Sequence, residues 1–285
     1  MSYSSTTFET TKQLIQLWLH GRSPNTVANY QRHVNSFLAH VDKPIEKVTL
    51  MDIQSWQLTL SSVSPASQRN ALAVLKSLLT FGFELGVLPV NVGKLARTPK
   101  VKERLAEKIL TVEFVNRLFA AESNLRNRVM LRLLYSGGLR ASELCDLNWG
   151  DLKQRDVGGQ IRIFGKGGKT RVILLGQGIW DELMKLKGCI ATKDDPVFYS
   201  QKVNSRGTHH LNRKQVYHIV AEAGKKAGFE EKISPHWLRH SHASHSLDKG
   251  APIHLVQQTL GHSSISVTER YLHAKPDDSS ALYLD

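Results

Sequence analysis

The chain changes its hydrophobic period once, and this limits the fold more than any other feature. From Phe8 to about Leu88 apolar residues recur at helical spacing and strand signals are absent. Helical patterns continue near residues 111–120 and 124–136. Then "IRIF" and "RVILL", residues 161–164 and 171–175, bring short β-branched and apolar runs on either side of the glycine-rich "GKGGKT". This predicts a single hairpin. Helical spacing resumes near 179–187, 211–227, 235–247 and 252–260. The expected fold is mainly α with a small β-sheet, a helical domain followed by a mixed α/β one.

Ser23-Pro24 and Ser64-Pro65 each set a capping hydroxyl before a proline suited to the first helical position. In the helices that follow, Val27, Tyr30, Val34, Phe37 and Leu38 share one stripe, and Leu72, Leu75, Leu79 and Phe83 share another, which Gly86 and Pro89 end. With segments at Leu14–Leu19 and Ile53–Leu60, this predicts a four-helix unit. Arg32, His33, Arg69, Asn70 and Lys76 fall on its exposed faces, suited to phosphates or simply to water. The stretch "NVGKLARTPKVKERLAEKIL", residues 91–110, has glycine, proline and alternating charge without an apolar stripe, and reads as a basic linker. The predicted division is 1–92, linker 93–108, and 109–285.

Lys and Arg number 38 against 25 Asp and Glu, a formal charge of +13. Such an excess attracts a polyanion, DNA or RNA, and releases its counterions on binding. Residues 1–100 hold 10 basic and 5 acidic side chains, leaving 28 and 20 for the rest, so both domains are expected to face the polyanion as a clamp. Cys145 and Cys189 are too few for a disulfide framework, and "MSYSSTTFETTK" is unlike a signal peptide; a reducing cytoplasm is the expected compartment. No apolar run approaches the roughly 20 residues that cross a bilayer, so no membrane partner is expected.

Four stretches carry candidate chemistry. "HWLRHSHASH", residues 236–245, follows Ser234-Pro235, so His236 lies in a first helical turn, where free N–H groups and the dipole favour an anion. Arg239 and His240 share its face. The His236 to His240 spacing also suits two zinc-binding imidazoles, but the fixed charge of Arg239 opposes a divalent ion there, and no metal is expected. His242 and His245 project elsewhere, as packing or surface residues. In "YSGGLRASELCDL", residues 135–147, a glycine turn delivers Arg140, and Glu143 either holds that guanidinium or makes a routine helix salt bridge. "FGKGGKT", residues 164–170, lacks Walker spacing and precedes a strand, which puts Lys166 or Lys169 on a hairpin tip as a candidate proton donor. In "LGHSSISVTERYLH", residues 260–273, His262 follows a helix-ending Gly261, and Tyr271 taken alone reads as a buried tyrosine.

In order and local context, Arg140, a hairpin lysine, His236 with Arg239, His262 and Tyr271 resemble the tyrosine recombinase, or phage integrase, family, most of all its Xer-type bacterial members. The resemblance runs through the whole chain, from a helical core-binding domain to a catalytic domain carrying "GLR", "GKG", "HWLRH", "LGH" and a late tyrosine. It implies a site-specific recombinase that cuts and rejoins DNA through a 3′-phosphotyrosyl bond, without metal, nucleotide or other cofactor. By matched motif, Tyr271 would be the nucleophile, Arg140 and Arg239 the phosphate clamp, and Lys166 the acid for the departing 5′ oxygen. Lys169 would be the less favoured acid, and otherwise a DNA contact with Arg32, Arg69 and Lys76. His236 and His262 would bond phosphoryl oxygens, with His236 also a candidate base, while Glu143 would support the first arginine and His240 would be a supporting or packing residue on the same face as His236. The apolar end of "AKPDDSSALYLD", residues 274–285, would dock on a neighbouring protomer in a DNA-bound tetramer, with or without a second recombinase. A type IB topoisomerase-like enzyme, a non-catalytic DNA-binding regulator on the same fold and a zinc-dependent hydrolase are the alternatives.

Overall fold

The chain divides into two units, residues 1–103 and 104–285. A computed structural model describes residues 3–101, 105–165, 170–189, 191–203 and 207–272, with side chains from residue 11 onward. Lys166, Lys169 and the tail from residue 273 lie outside the described residues.

In the first unit, α1 (Tyr3–Leu19), α2 (Pro24–Val41), α3 (Leu50–Thr59) and α4 (Pro65–Glu84) are the four predicted helices. The Ser23 and Ser64 hydroxyls accept hydrogen bonds from the N–H groups of Thr26 and Ser67, so the two Ser-Pro pairs cap α2 and α4 as their chemistry dictates. Phe37 and Trp56 pack edge to face with ring centroids 5.3 Å apart, over fully buried Leu72, Leu75 and Leu79. Phe83 departs from the predicted stripe and is 45% exposed, because α4 turns Gly82 inward against Leu14 and Leu88. A short α5 (Val92–Leu95) folds back on α4, burying Gly93 and Ala96, and Lys76 Nζ donates to Ala96 O at 2.9 Å. The first residues expected in the linker therefore belong to this unit's core.

The second unit opens with a one-turn helix, Ala106–Lys108, followed by α6 (Val112–Ala121), α7 (Leu125–Ser136) and α8 (Ala141–Cys145). Its sheet is antiparallel in the order β1 (Leu152–Gln154), β2 (Gly159–Phe164), β3 (Thr170–Leu175). The register pairs Ile161 with Ile173 and Phe164 with Thr170. β1 escaped sequence reading because three residues are too few to show a period. Helices α9 (Gln177–Met184), α10 (Arg213–Lys226), α11 (Pro235–Asp248), α12 (Ile253–Leu260) and α13 (Ile265–Glu269) complete the unit. α7 and α11 pack together around buried Leu131, Leu134 and Leu238, and this pair is the platform on which the site rests.

Candidate active site

The site begins at a turn only glycine fits. Gly138, after α7, has φ +58°, and a Cβ there would come within 2.6 Å of Leu260 Cδ2. Its carbonyl accepts a hydrogen bond from Arg239 Nη1 at 2.5 Å, and Leu260 O accepts from Arg239 Nη2 at 2.6 Å. Two backbone carbonyls from distant segments thus fix a guanidinium that is only 5% exposed and leave others of its five N–H donors for a ligand. Gly261 ends α12 in the left-handed region at φ +63°, and its carbonyl accepts from Arg140 Nη2 at 3.2 Å.

Glu143 settles the choice left open by its sequence position. Its carboxylate accepts from Arg140 N (2.8 Å), Arg140 Nη1 (2.7 Å), Arg171 Nη1 (2.9 Å) and Arg171 Nη2 (2.8 Å). This buried four-donor node is no routine helix salt bridge. Arg171 Nε also donates to Thr259 O at 2.7 Å, joining β3 to the end of α12. Sequence reasoning missed Arg171. The available signal was its place on β3 in phase with buried Ile173 and Leu175, but the apolar Val172 and Leu174 hide that alternation.

α11 presents His236, Arg239 and His240 to one cavity of about 430 Å³, which Arg140, His262 and Tyr271 also line. Tyr271 is packed among Ala243, Val256 and Leu260, and its hydroxyl is hydrogen-bonded to His240 Nδ1 at 2.6 Å. His240, expected on the same face as a supporting or packing residue, thus touches the Tyr271 hydroxyl directly. His262 Nδ1 is hydrogen-bonded to the buried Thr268 hydroxyl at 2.9 Å, and its ring lies nearly parallel to that of Tyr271. His245 Nδ1 bonds Tyr135 Oη at 2.8 Å, a packing role as predicted. Lys108 and Arg270 add two further cations to the cavity wall. The first was counted with the linker, and the second sits unremarked beside Tyr271. Among the described residues, no three His, Cys, Asp or Glu side chains are grouped to hold a metal ion.

Burial dominates the electrostatics. It lowers His236, His240 and His262 below the ordinary imidazole value, His240 and His262 to about 4, with help from the charges of His236 on His240 and of Arg239 on the other two. It pulls Arg239 down to about 9, aided by Arg140, which still leaves the guanidinium charged at neutral pH. It raises the Tyr271 phenol against the pull of Arg239 and Arg270. Burial would raise Glu143 too, but hydrogen bonds from Arg171 and from the Arg140 N–H outweigh it and hold the carboxyl at about 2. Near neutral pH the cavity therefore combines a neutral phenol and neutral imidazoles with fixed guanidinium charge, an arrangement suited to an anionic ester.

The contacts expected in the first unit are spread out. Arg32 is exposed on α2 and bonds Asn29 Oδ1 at 2.9 Å, while its neighbour His33 meets Asn70 of α4 at 3.3 Å. Arg69 and Lys76 line a separate hollow of that unit with Lys100, although Lys76 is already engaged with Ala96 O.

Known proteins share this organisation. The phage integrase family model matches residues 108–277, and the phage integrase N-terminal SAM-like domain matches residues 14–83. Tyrosine recombinase XerC of Pelobacter propionicus is 35% identical over 278 residues, 92% of this chain and 88% of that protein. XerC of Thermodesulfovibrio yellowstonii is 32% identical over 269 residues, 89% of this chain and 87% of that one. A lambda integrase dimer solved on a COC′ core site shares the fold, with a TM-score of 0.75 and 20% identity over 97% of both chains. The chain belongs to the phage integrase family of tyrosine recombinases. Among the described residues no helix is long and apolar enough to cross a membrane.

Proposed function

We propose that this protein is a site-specific DNA recombinase in which the Tyr271 hydroxyl attacks a backbone phosphodiester. Oη bonds to phosphorus, the bond to the 5′ oxygen breaks, and that oxygen leaves with a proton. The product is a 3′-phosphotyrosyl link, and a partner strand's 5′-hydroxyl reverses the step. Arg140 and Arg239 hold the phosphate, His236 and His262 bond its oxygens, and Lys166 supplies the proton to the leaving oxygen. The observation that carries this reading is the meeting of Arg140, Arg239, His236, His262 and Tyr271, 131 residues apart at their extremes, on one cavity of about 430 Å³. Recombinase relatives spanning about nine-tenths of the chain favour this over the topoisomerase-like and non-catalytic alternatives.

The partner is double-stranded DNA carrying two recognition sites, held by both units, with Arg32, Arg69, Lys76 and Lys169 on the backbone. The protein works as a tetramer on DNA through the tail from Ser279 to Asp285, in the cytoplasm. Tyr271→Phe is expected to bind a nicked suicide substrate normally and form no covalent adduct. A persistent adduct would exclude this nucleophile.

A further inference from the structure

Motif matching makes His236 the candidate base for the nucleophile, yet a different imidazole touches it. His240 lies one helical turn beyond His236 on α11, with ring centroids 6.3 Å apart, and its Nδ1 stands 2.6 Å from Tyr271 Oη. The phenol has little freedom to leave this contact. Tyr271 N donates to Thr268 O at 3.0 Å at the end of α13, the ring packs on Ala243, Val256 and Leu260, and the residue is 6% exposed. Both histidines line the cavity with Arg140 and Arg239, but His236 also faces a neighbouring hollow with Arg140 and Arg213 whose lining does not include His240. The two histidines thus divide the face, one toward the phosphate and one toward the nucleophile.

We propose that His240 is a catalytic residue: its Nδ1 takes the Tyr271 proton as Oη bonds to phosphorus, and returns it to Oη when the 5′-hydroxyl displaces the tyrosine in the reverse step. This rests on Tyr271 being the nucleophile.

The surroundings set the timing. His240 is faced by His236 and Arg239 from its own helix, by Lys108 from the one-turn helix, and by Arg270 and Tyr271 from the end of α13, with His262 close by. With burial first and these charges behind it holding the imidazole near 4, and the phenol raised, the proton stays on oxygen in the resting enzyme. The role requires the tautomer whose proton resides on Nε2, which leaves Nδ1 to accept from the phenol. A bound phosphate offsets the cations that depress the imidazole, and the forming P–O bond acidifies the phenol. Proton transfer therefore accompanies attack as general-base catalysis and makes no free phenolate beforehand.

The test measures single-turnover covalent trapping on a nicked suicide substrate, at saturating DNA, with the full chain. His240→Gln keeps a side chain able to hydrogen-bond the phenol but unable to carry its proton. Its trapping rate is expected to fall on the order of 10²–10⁴-fold with DNA affinity retained. A ring-fluorinated tyrosine at position 271, being more acidic, is expected to recover most of that loss while changing the His240 protein little. Trapping by His240→Gln within about threefold of the parent, or a loss that fluorination does not relieve, would reduce His240 to packing. Retained DNA affinity separates these outcomes from misfolding. Should Tyr271→Phe still form the adduct, the nucleophile itself is misassigned, a failure distinct from that of His240.

Discussion

Three helices begin with the same Ser-Pro pair and end in different trades. At α2 and α4, Ser23 and Ser64 cap the N–H groups of Thr26 and Ser67, and each helix buries an apolar stripe that includes Phe37 or Leu75. At α11 the Ser234 side chain makes no cap bond, and the buried side mixes Leu238 with Arg239, Ser241, Ser244 and His245. Three of those polar groups are held by hydrogen bonds instead: Arg239 to Gly138 O and Leu260 O, Ser241 Oγ to Trp237 O and to the Leu110 N–H, His245 to Tyr135 Oη; among the described residues the buried Ser244 Oγ has no such partner. The same local code starts a helix in both units. What the helix is for depends on whether its partners offer apolar surface or carbonyls and carboxylates.

The sharpest way to break that contrast is to remove a polar anchor. Arg171→Ala strips Glu143 of two of its four donors and leaves Thr259 O without its guanidinium partner. Removing one member of a buried pair is expected to destabilise the second unit by about 3–5 kcal/mol, read by denaturant unfolding. A loss under about 1 kcal/mol would mean the node is incidental.

Next in size is pH. His240, His242 and His262 are held at about 4, mainly by burial, whereas an unfolded histidine titrates near 6.5. Between those values the unfolded chain binds protons the folded one refuses, so stability falls as pH drops from about 6.5 to 4, on the order of 1–3 kcal/mol each for His240 and His242 and less for His262, which water screens more. Glu143 acts in a lower window: its folded value of about 2 lies below the unfolded 4.5, and the stability it contributes above 4.5 is lost as pH falls toward 2. Hydrogen-exchange protection, corrected for intrinsic rates, is expected to weaken in α11 between pH 7 and 5 more than in α4. Equal weakening would dissolve the contrast. The smallest effect tests the caps themselves. Ser64→Ala is expected to cost about 1 kcal/mol, and Ser234→Ala no more than about 0.5 kcal/mol, in urea unfolding.

Helix starts, the hairpin and the order of site residues were legible because they depend on neighbours a few positions apart. Proline at a first turn, glycine at a left-handed end and a switch from helical to alternating period are local statements. Phe83 shows where locality fails: periodicity gave it an inward place, while the packing of Gly82 against Leu14 and Leu88 turned it out. Arg171 failed for a related reason. Both alternating sets of β3 contain apolar residues, and only the sheet's seating on the helices decided which faced inward.

By itself, then, the sequence determined that this chain is helical with one small sheet, and that Arg140, His236, Arg239, His262 and Tyr271 belong to one family pattern. Helical spacing put His236, Arg239 and His240 on one face, but spacing along a helix says nothing of what arrives from 31 residues further on. Tertiary packing alone decided that Tyr271 meets His240, and that Glu143 is shared by two arginines. Both contacts join segments that the chain brings together only when α12, α13 and β3 close around the start of α11 and α8.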